Sequence, residues 1–540
     1  MIPLLALWLS LFLGNRPFAS PDEGRYVEIP REMATTGDYV TPRLNGVKYF
    51  EKPPLFYWIQ AATIRLVGIQ EWAMRLSCVL FGMLGCIGTY LFGRRFYGQK
   101  AGLAACLILA MSPLYYALSR LIILDMAVTT LITLSLFSFL LTVHTPPGRQ
   151  RRLWAWAFYA CSALGVLTKG LMALAIPGPV ILIWALSTGR WKDLWPAYIP
   201  SGMLIFFTIA APWHILASLQ NPEFAHKYFV VEHFLRYTTS MHMRSQHLLF
   251  FVPVLLLGLF PWITLLWSAI RDSLTSQHEK QQRGVTLFLL IWAGWTFGFF
   301  SISSSKLIPY ILPCFPPLAL ILGMYWNKIR CEGSESTARQ GILLFSIFAA
   351  LLSIGGLGAL WFLPNLIDHK PYLWIDFTLL ALAFLILAFF ALLFLHRHRL
   401  RTALAAIPVT ALILIVSSIR LMPELQHPSV KPLAQIIQSL KQPEDIVGSY
   451  KAYFQDLPVY VDQTVSVFDV KGELEFGCDV EDCSGWMKDE KDFFRLWGEK
   501  KRLLIVARSR EIEALQKRDP TFKYILLGSS DGNSLITNRQ

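Results

Sequence analysis

Charge is scarce in this sequence. Asp, Glu, Lys and Arg together make up 16% of its 540 residues, against roughly one quarter in an ordinary soluble domain. Apolar residues reach 54%, with 18 Trp and 37 Phe, and a soluble surface built from such material could not stay charged and free of sticky patches. A basic N-terminal region and a small-residue cleavage site are also missing, so the opening MIPLLALWLSLFLGNRPF reads as a retained, slightly short first span and not as a cleaved signal. No convincing internal repeat is present, which weighs against a transporter built from inverted halves. Bases outnumber acids 49 to 36, but the excess sits in short clusters between apolar stretches. That is the pattern of loops held on the cytoplasmic side of a membrane, and no nucleic-acid partner is expected.

Cysteine is sparse too, at eight. Cys78, Cys86, Cys106, Cys161, Cys314 and Cys331 fall inside or beside apolar stretches, where a thiol behaves as a small hydrophobe. Cys478 and Cys483 lie close together in a polar stretch, where an exported location permits a disulfide; the spacing alone leaves that pairing open.

What the sequence does have is long apolar runs. Windows near 2–14, 72–93, 99–119, 124–143, 153–168, 171–186, 197–218, 247–270, 284–303, 307–326, 340–362, 371–395 and 402–420 approach the roughly 20 residues needed to cross a bilayer core. This predicts about thirteen spans. With the N-terminus inside, the cytoplasmic loops carry Arg94, Arg95 and Lys100; Arg149, Arg151 and Arg152; Arg190 and Lys192; Arg271, Lys280 and Arg283; Lys328, Arg330 and Arg339; and Arg397, Arg399 and Arg401. The short loops opposite hold single cations: Arg120, Lys169, Lys306 and Lys370. The positive-inside rule then puts the C-terminus outside.

The expected architecture is a polytopic α-helical membrane unit over residues 1–423 and a small external α/β domain over 424–540. Outer loops 15–71 and 219–246 are too long to be mere connectors. In the last part, DIVGSY, LPVYV, VSVF, RLLIVA and YILLG read as strands, alternating with helix-like PLAQIIQSL, DFFRLWGE and REIEALQKR.

The first outer loop starts a helix at Ser20-Pro21-Asp22-Glu23: Ser20 can cap it, Pro21 suits its first turn, and Glu23 completes a capping box. Tyr26, Ile29 and Met33 share one face, so the helix can lie in the membrane interface; Pro30 should kink it and Gly37 end it. Asp22 either offsets the helix dipole or, with Glu23 already serving the cap, is left free for chemistry. Asn45-Gly46 predicts a hairpin that delivers Glu51 and Lys52 to Pro53-Pro54, where the proline holds Lys52 extended. A solvated turn pair is the plainer alternative.

Asp125, between two apolar stretches, is either a helix cap or a functional acid, because carboxylates near a bilayer core are costly. Lys169 and Lys306 pose the same question with opposite sign, and snorkelling to headgroups is the simpler expectation for Lys306. The second loop offers Lys227, Tyr228, Glu232, His233, Arg236 and Tyr237. Glu51 with His233 is a weak pair for a divalent metal ion, lacking further ligands of known position. Tyr310 belongs either to an interfacial aromatic belt or to a substrate lid. Together the outer face gathers Asp22, Glu51 and Asp125 with Arg25, Lys52, Lys169, Lys306 and Arg236 around apolar grooves. Cations there stabilise charge on a departing lipid phosphate, while a carboxylate activates a nucleophile or binds an ammonium group.

The run PDEGRYVEIPREMATTGDYVTPRLNGVKYFEKPPLFYW at 21–58, with LDM at 124–126, TKG at 168–170 and KLIPYILP at 306–313, resembles the bacterial aminoarabinose transferase (ArnT-type) family of the GT-C glycosyltransferase class. The resemblance implies transfer of 4-amino-4-deoxy-arabinose from undecaprenyl phosphate to a lipid A phosphate at the periplasmic face of the inner membrane. It makes Asp22 the principal catalytic acid, seconded by Asp125. By the resemblance Arg25, Glu51, Lys52, Asp125, Lys169 and Tyr310 would line the site, with Lys52 and Lys169 near the donor phosphate; the residues themselves add Tyr26, Arg236 and Lys306 as candidate substrate contacts. Pro30 departs from the family pattern and bears on the helix angle. Protein O-mannosyltransferases share only a looser pattern, an acidic pair in the first outer loop. A polytopic lipid or sugar transporter is the reading from another class.

Overall fold

The computed structural model describes all residues except 194–197, 237–245, 276–279, 333–334, 363–371, 426–428 and 540. Each of the thirteen windows falls on helix. Eight helices are long and apolar enough to cross a membrane among the described residues: Glu71–Tyr97, Leu124–His144, Ile199–Gln220, Gln282–Ile302, Ile308–Cys331, Ala338–Gly358, Tyr372–His396 and Leu400–Leu421. Leu248–Gly258 and Trp262–Thr275 form a further span bent by 103°. The remaining windows are broken or charged. That at 99–119 splits into Gln99–Ala110 and Pro113–Leu118, because Pro113 cannot continue a ladder and instead opens a new first turn. Pro177 does the same between Met172–Ala175 and Pro177–Thr188. Arg149–Lys169 opens on three arginines, and the first window gives only Ile2–Ser10. Leu55–Val67, which the sequence reading leaves inside a loop, is a thirteen-residue apolar helix.

Two strands, β1 (Arg43–Leu44) and β2 (Val47–Lys48), form the hairpin expected around Asn45-Gly46. Both turn residues have positive φ, 50° and 84°, as a two-residue turn of this hand requires. The C-terminal part forms a six-stranded sheet from β3 (Ile446–Tyr450), β4 (Ser466–Phe468), β5 (Met487–Lys488), β6 (Leu503–Arg508), β7 (Ile525–Ser530) and β8 (Asn533–Thr537), in the order β5-β4-β3-β6-β8-β7. The β3–β4, β3–β6 and β4–β5 pairs are parallel, and β8 runs antiparallel between β6 and β7. LPVYV is not a strand: Leu457–Val461 is a single helical turn with Pro458 in its first turn. Leu457, Val459 and Val461 are all buried, so alternation reflects burial there, not a pleat. Cys478 and Cys483 are joined as a disulfide.

Helix Asp22–Thr36 does not present its apolar face outward: Tyr26, Ile29 and Met33 are all buried. Residues from Glu23 to Met33, including Glu28, Arg31 and Glu32, are buried except Arg25, because the C-terminal sheet domain closes over the helix. At Gly24 an added β-carbon would stand 2.6 Å from the backbone nitrogen of Asp456. The hairpin tip docks on the same domain: Asn45 donates to the Val465 carbonyl at 3.0 Å and accepts from its amide at 2.9 Å, and Trp486 donates to the Asn45 carbonyl. Arg43 pairs with Glu481 at 2.9 Å. The first outer loop is therefore the bracket between membrane unit and sheet domain.

Candidate active site

The start of the 22–36 helix is fixed by Glu23, though not by a capping box. Ser20 turns away and donates to Gln455. Glu23 is fully buried and takes hydrogen bonds from Arg16, Arg75 and the amides of Ala19 and Ile122. Burial alone would push its carboxyl up, but the Arg75 and Arg16 guanidinium groups hold it at about 2. Through Ile122 this carboxylate also anchors the segment leading to Asp125. Asp22, the first residue of the helix, keeps 61% of its side chain exposed.

Arg25 lies one turn on, 3.6 Å from Asp22, and its Nε stands 2.7 Å from Glu473 of the sheet domain. Tyr26 is buried against Phe56 and Tyr57. Burial pushes its phenol up, and the charges nearest it belong to Arg25, Asp22, Asp125 and Glu51. Tyr26 thus stands between the acid at the helix start and the groups beyond.

Those groups line a cavity of about 250 Å³. Lys52, Lys169, Arg236, His233 and Tyr310 all face it, against an apolar wall that includes Phe229, Phe299 and Phe300. Lys169 contacts Asp125 at 2.5 Å and lies 4.9 Å above the Tyr310 ring. Arg236 bridges Glu232 at 2.8 Å and Glu51 at 3.2 Å, and Lys227 also reaches Glu232 at 3.3 Å. Lys52 donates to the Glu51 carbonyl. Burial, reinforced by the like charge of Arg236, pulls the Lys52 ammonium down to about 7.

Glycine in the TKG motif has a visible duty. Gly170 has φ of +79°, and a β-carbon there would fall 1.9 Å from His233 Nε2. It lets His226–Leu235, a π-helix, pack onto the end of Arg149–Lys169 and so aim Arg236 into the cavity. Such windings recur at functional sites.

Two expectations change. Lys306 does not snorkel: it is 6% exposed, and its ammonium donates to the carbonyls of Ser303 and Gln246. It stands behind the cavity wall formed by Ser303 and Ser305, where two carbonyls satisfy it. The two residues of the metal pair have other partners. Glu51 engages Arg236, His233 Nδ1 faces the Tyr228 carbonyl at 2.7 Å, and no group of three or more His, Cys, Asp or Glu side chains that could hold an ion occurs among the described residues. Tyr237 lies outside them. Sequence reading missed Glu473 altogether and named Glu232 only among the polar residues of the second loop. Its signal was local, four residues before Arg236 in a helical stretch; Glu473 had none.

Residues 18–228 match the family model for dolichyl-phosphate-mannose-protein mannosyltransferase, and 433–533 match that of the aminoarabinose transferase C-terminal domain. The undecaprenyl phosphate-alpha-4-amino-4-deoxy-L-arabinose arabinosyl transferase of Erwinia tasmaniensis is 30% identical over 92% of this chain and 90% of its own. The protein of that name from Aeromonas salmonicida is 34% identical over 73% and 71%. The crystal structure of ArnT from Cupriavidus metallidurans bound to undecaprenyl phosphate superposes with a TM-score of 0.86 at 28% identity, covering 100% of this chain and 97% of that one. An archaeal oligosaccharyltransferase, AglB from Archaeoglobus fulgidus, shares the fold at a TM-score of 0.50 and 11% identity, over 96% of this chain and 70% of its own. The chain is therefore a multi-span membrane glycosyltransferase and belongs to the undecaprenyl phosphate-alpha-4-amino-4-deoxy-L-arabinose arabinosyl transferase family.

Proposed function

We propose that this enzyme moves 4-amino-4-deoxy-L-arabinose from undecaprenyl phosphate to a phosphate of lipid A, with its site and sheet domain on the periplasmic side of the inner membrane. The observation that carries the reading is the convergence of Lys52, Lys169 and Arg236 on one apolar-walled cavity. A polyprenyl phosphate needs that pairing of cations for its head with apolar surface for its chain. The relatives' names and the neighbour bound to undecaprenyl phosphate support it. The distribution of Lys and Arg among the loops supports the orientation.

In this reading the acceptor phosphate oxygen attacks the anomeric carbon as the bond to the carrier phosphate breaks, with inversion. Charge building on the departing phosphate is met by Lys52, Lys169 and Arg236. An acceptor phosphate is already anionic at neutral pH, so Asp22 need not remove a proton; it positions the incoming phosphate through Arg25 or holds the sugar's ammonium group. Asp125 keeps Lys169 directed.

The test is to supply purified protein in lipid with the polyprenyl-linked aminosugar and lipid A, and to analyse lipid and protein fractions by mass spectrometry. Modified lipid A with wild type, and its loss with Asp22→Asn, is expected. A second reading, transfer to protein hydroxyls, is favoured by the mannosyltransferase match over 18–228. Sugar on Ser or Thr would establish it. Translocation without any glycosylated product would sink both.

A further inference from the structure

The six-stranded sheet has a point where strand order reverses. From β3 the chain steps outward to β4 and β5, then returns to lay β6 on the other side of β3, parallel to it. In open sheets of this kind the connections leaving the carboxyl ends of the two central strands diverge, and ligands bind in the crevice between them. Here the segment after β3 supplies residues 452–455, the end of β6 supplies 508–510, and the β7–β8 turn supplies 531–533 to a cavity of about 740 Å³. The remaining wall is Ser20 and Pro21, the two residues before Asp22.

The lining suits a carbohydrate that carries phosphate. Half-buried Tyr453 offers ring surface for the apolar face of a sugar, with Phe454 packed beneath, while Gln455 and Asp531 can exchange hydrogen bonds with hydroxyls. Arg508 is exposed and meets no carboxylate among the described residues, which leaves its planar fork open to a phosphate. Arg510 is engaged with Glu511 at 3.3 Å. The crevice also shares a part with the reaction centre. Gln455 accepts from Ser20 at 3.1 Å and donates to Glu473, and Glu473 holds Arg25 beside Asp22.

We propose that this crevice binds the phosphorylated glycan headgroup of the acceptor lipid, one phosphate resting on Arg508 while another is presented past Pro21 to Asp22. The inference rests on the transfer reaction proposed above and assigns its acceptor subsite to the sheet domain.

The experiment uses full-length protein in lipid nanodiscs and, as probe, the glucosamine disaccharide bisphosphate freed of acyl chains, with binding measured by calorimetry. Binding to wild type that is weakened roughly tenfold in Arg508→Glu and retained in Arg508→Lys is the expected result. Arg508 is exposed, so unchanged melting of the variants separates a lost contact from a lost fold. Equal binding by wild type and Arg508→Glu, or none by either, overturns the crevice. So does inorganic phosphate alone competing as well as the disaccharide, since a free-phosphate site needs no glycan wall. In the transfer assay the Michaelis constant for the lipid acceptor should rise in Arg508→Glu, while that for the donor should not. Headgroup binding without sugar transfer would leave the subsite standing and remove the function it serves.

Discussion

Arg25 and Glu473 meet at 2.7 Å across the junction of the two parts of the chain. Arg25 comes from the first outer loop and contacts Asp22; Glu473 comes from the sheet domain, where Gln455 holds it. The sheet domain therefore completes the surroundings of the candidate catalytic acid. Burial pushes the Glu473 carboxyl up while Arg25 pulls it back, so the pair matters to both charge states. Removing one partner of a largely enclosed pair leaves the other uncompensated, at a cost below the about 3–5 kcal/mol of a fully buried one. Glu473→Ala should lower turnover at least tenfold and lower the melting temperature, whereas Glu473→Gln should keep more of the fold than of the activity. Parallel assays of melting and transfer check this, and full turnover in both variants would remove Glu473 from the site.

Lys52 gives the proposed donor cavity a pH dependence with a defined sign. Its ammonium is held at about 7 in the free protein, and an anionic phosphate stabilises the protonated form. Binding therefore takes up a proton above pH 7 and none below it. Affinity for a sugar phosphodiester, which does not titrate in this range, should be flat at acid pH and weaken by up to about tenfold per unit as pH rises above 7. Lys52→Arg should flatten the profile, because guanidinium stays charged throughout. A binding isotherm series in which both proteins share one slope would rule the mechanism out.

Asp125 and Lys169 form the contact that restrains a cation facing the cavity. Asp125→Ala frees that cation, so the donor should bind no more weakly while the reacting geometry is lost. Turnover should fall by roughly 10²-fold with no rise in the donor's Michaelis constant. A rise in that constant at unchanged turnover would mean that Asp125 acts on substrate binding alone.

Much of this arrangement was legible because its signals are local. Asn45-Gly46 forces a two-residue turn, and apolar runs of sufficient length form helix wherever they occur. Lys169 stood out as a cation between apolar stretches, where charge is costly without a partner or a purpose; Lys52 stood out as the residue a hairpin delivers to Pro53-Pro54, and Arg236 as one of the polar residues of a long outer loop. Other features depend on what arrives from far along the chain. Glu473 is an ordinary surface-type acid until the sheet domain lands on helix Asp22–Thr36. Lys306 looks the same in sequence whether it snorkels or is enclosed, and only the carbonyls of Ser303 and Gln246 decide the matter. Leu457–Val461 alternates like a strand because both of its sides are covered, and Pro458 in its first turn was the overlooked sign of helix. The breaks at Pro113 and Pro177 were visible as prolines, but hydropathy averages across them and counts a span.

Gly170 offers the sharpest test that the second outer loop is seated as described. Its φ of +79° is unfavourable for any residue with a β-carbon, and that carbon would overlap His233. Backbone strain of this kind costs about 1–3 kcal/mol, and relief requires the His226–Leu235 helix to move outward, taking Arg236 with it. Gly170→Ala should therefore weaken donor binding and turnover together, while the sheet domain, which touches this helix at Lys227 over Phe476 but is anchored on the first outer loop through Arg25, Arg43 and Asn45, keeps its resistance to proteolysis. Combining the change with His233→Ala removes the imidazole from the path of the new methyl group. The double variant should recover part of the lost donor affinity, limited by the backbone strain that remains. If Gly170→Ala binds donor like wild type, the loop is not packed on the TKG turn, and the placement of Arg236 in the cavity fails with it.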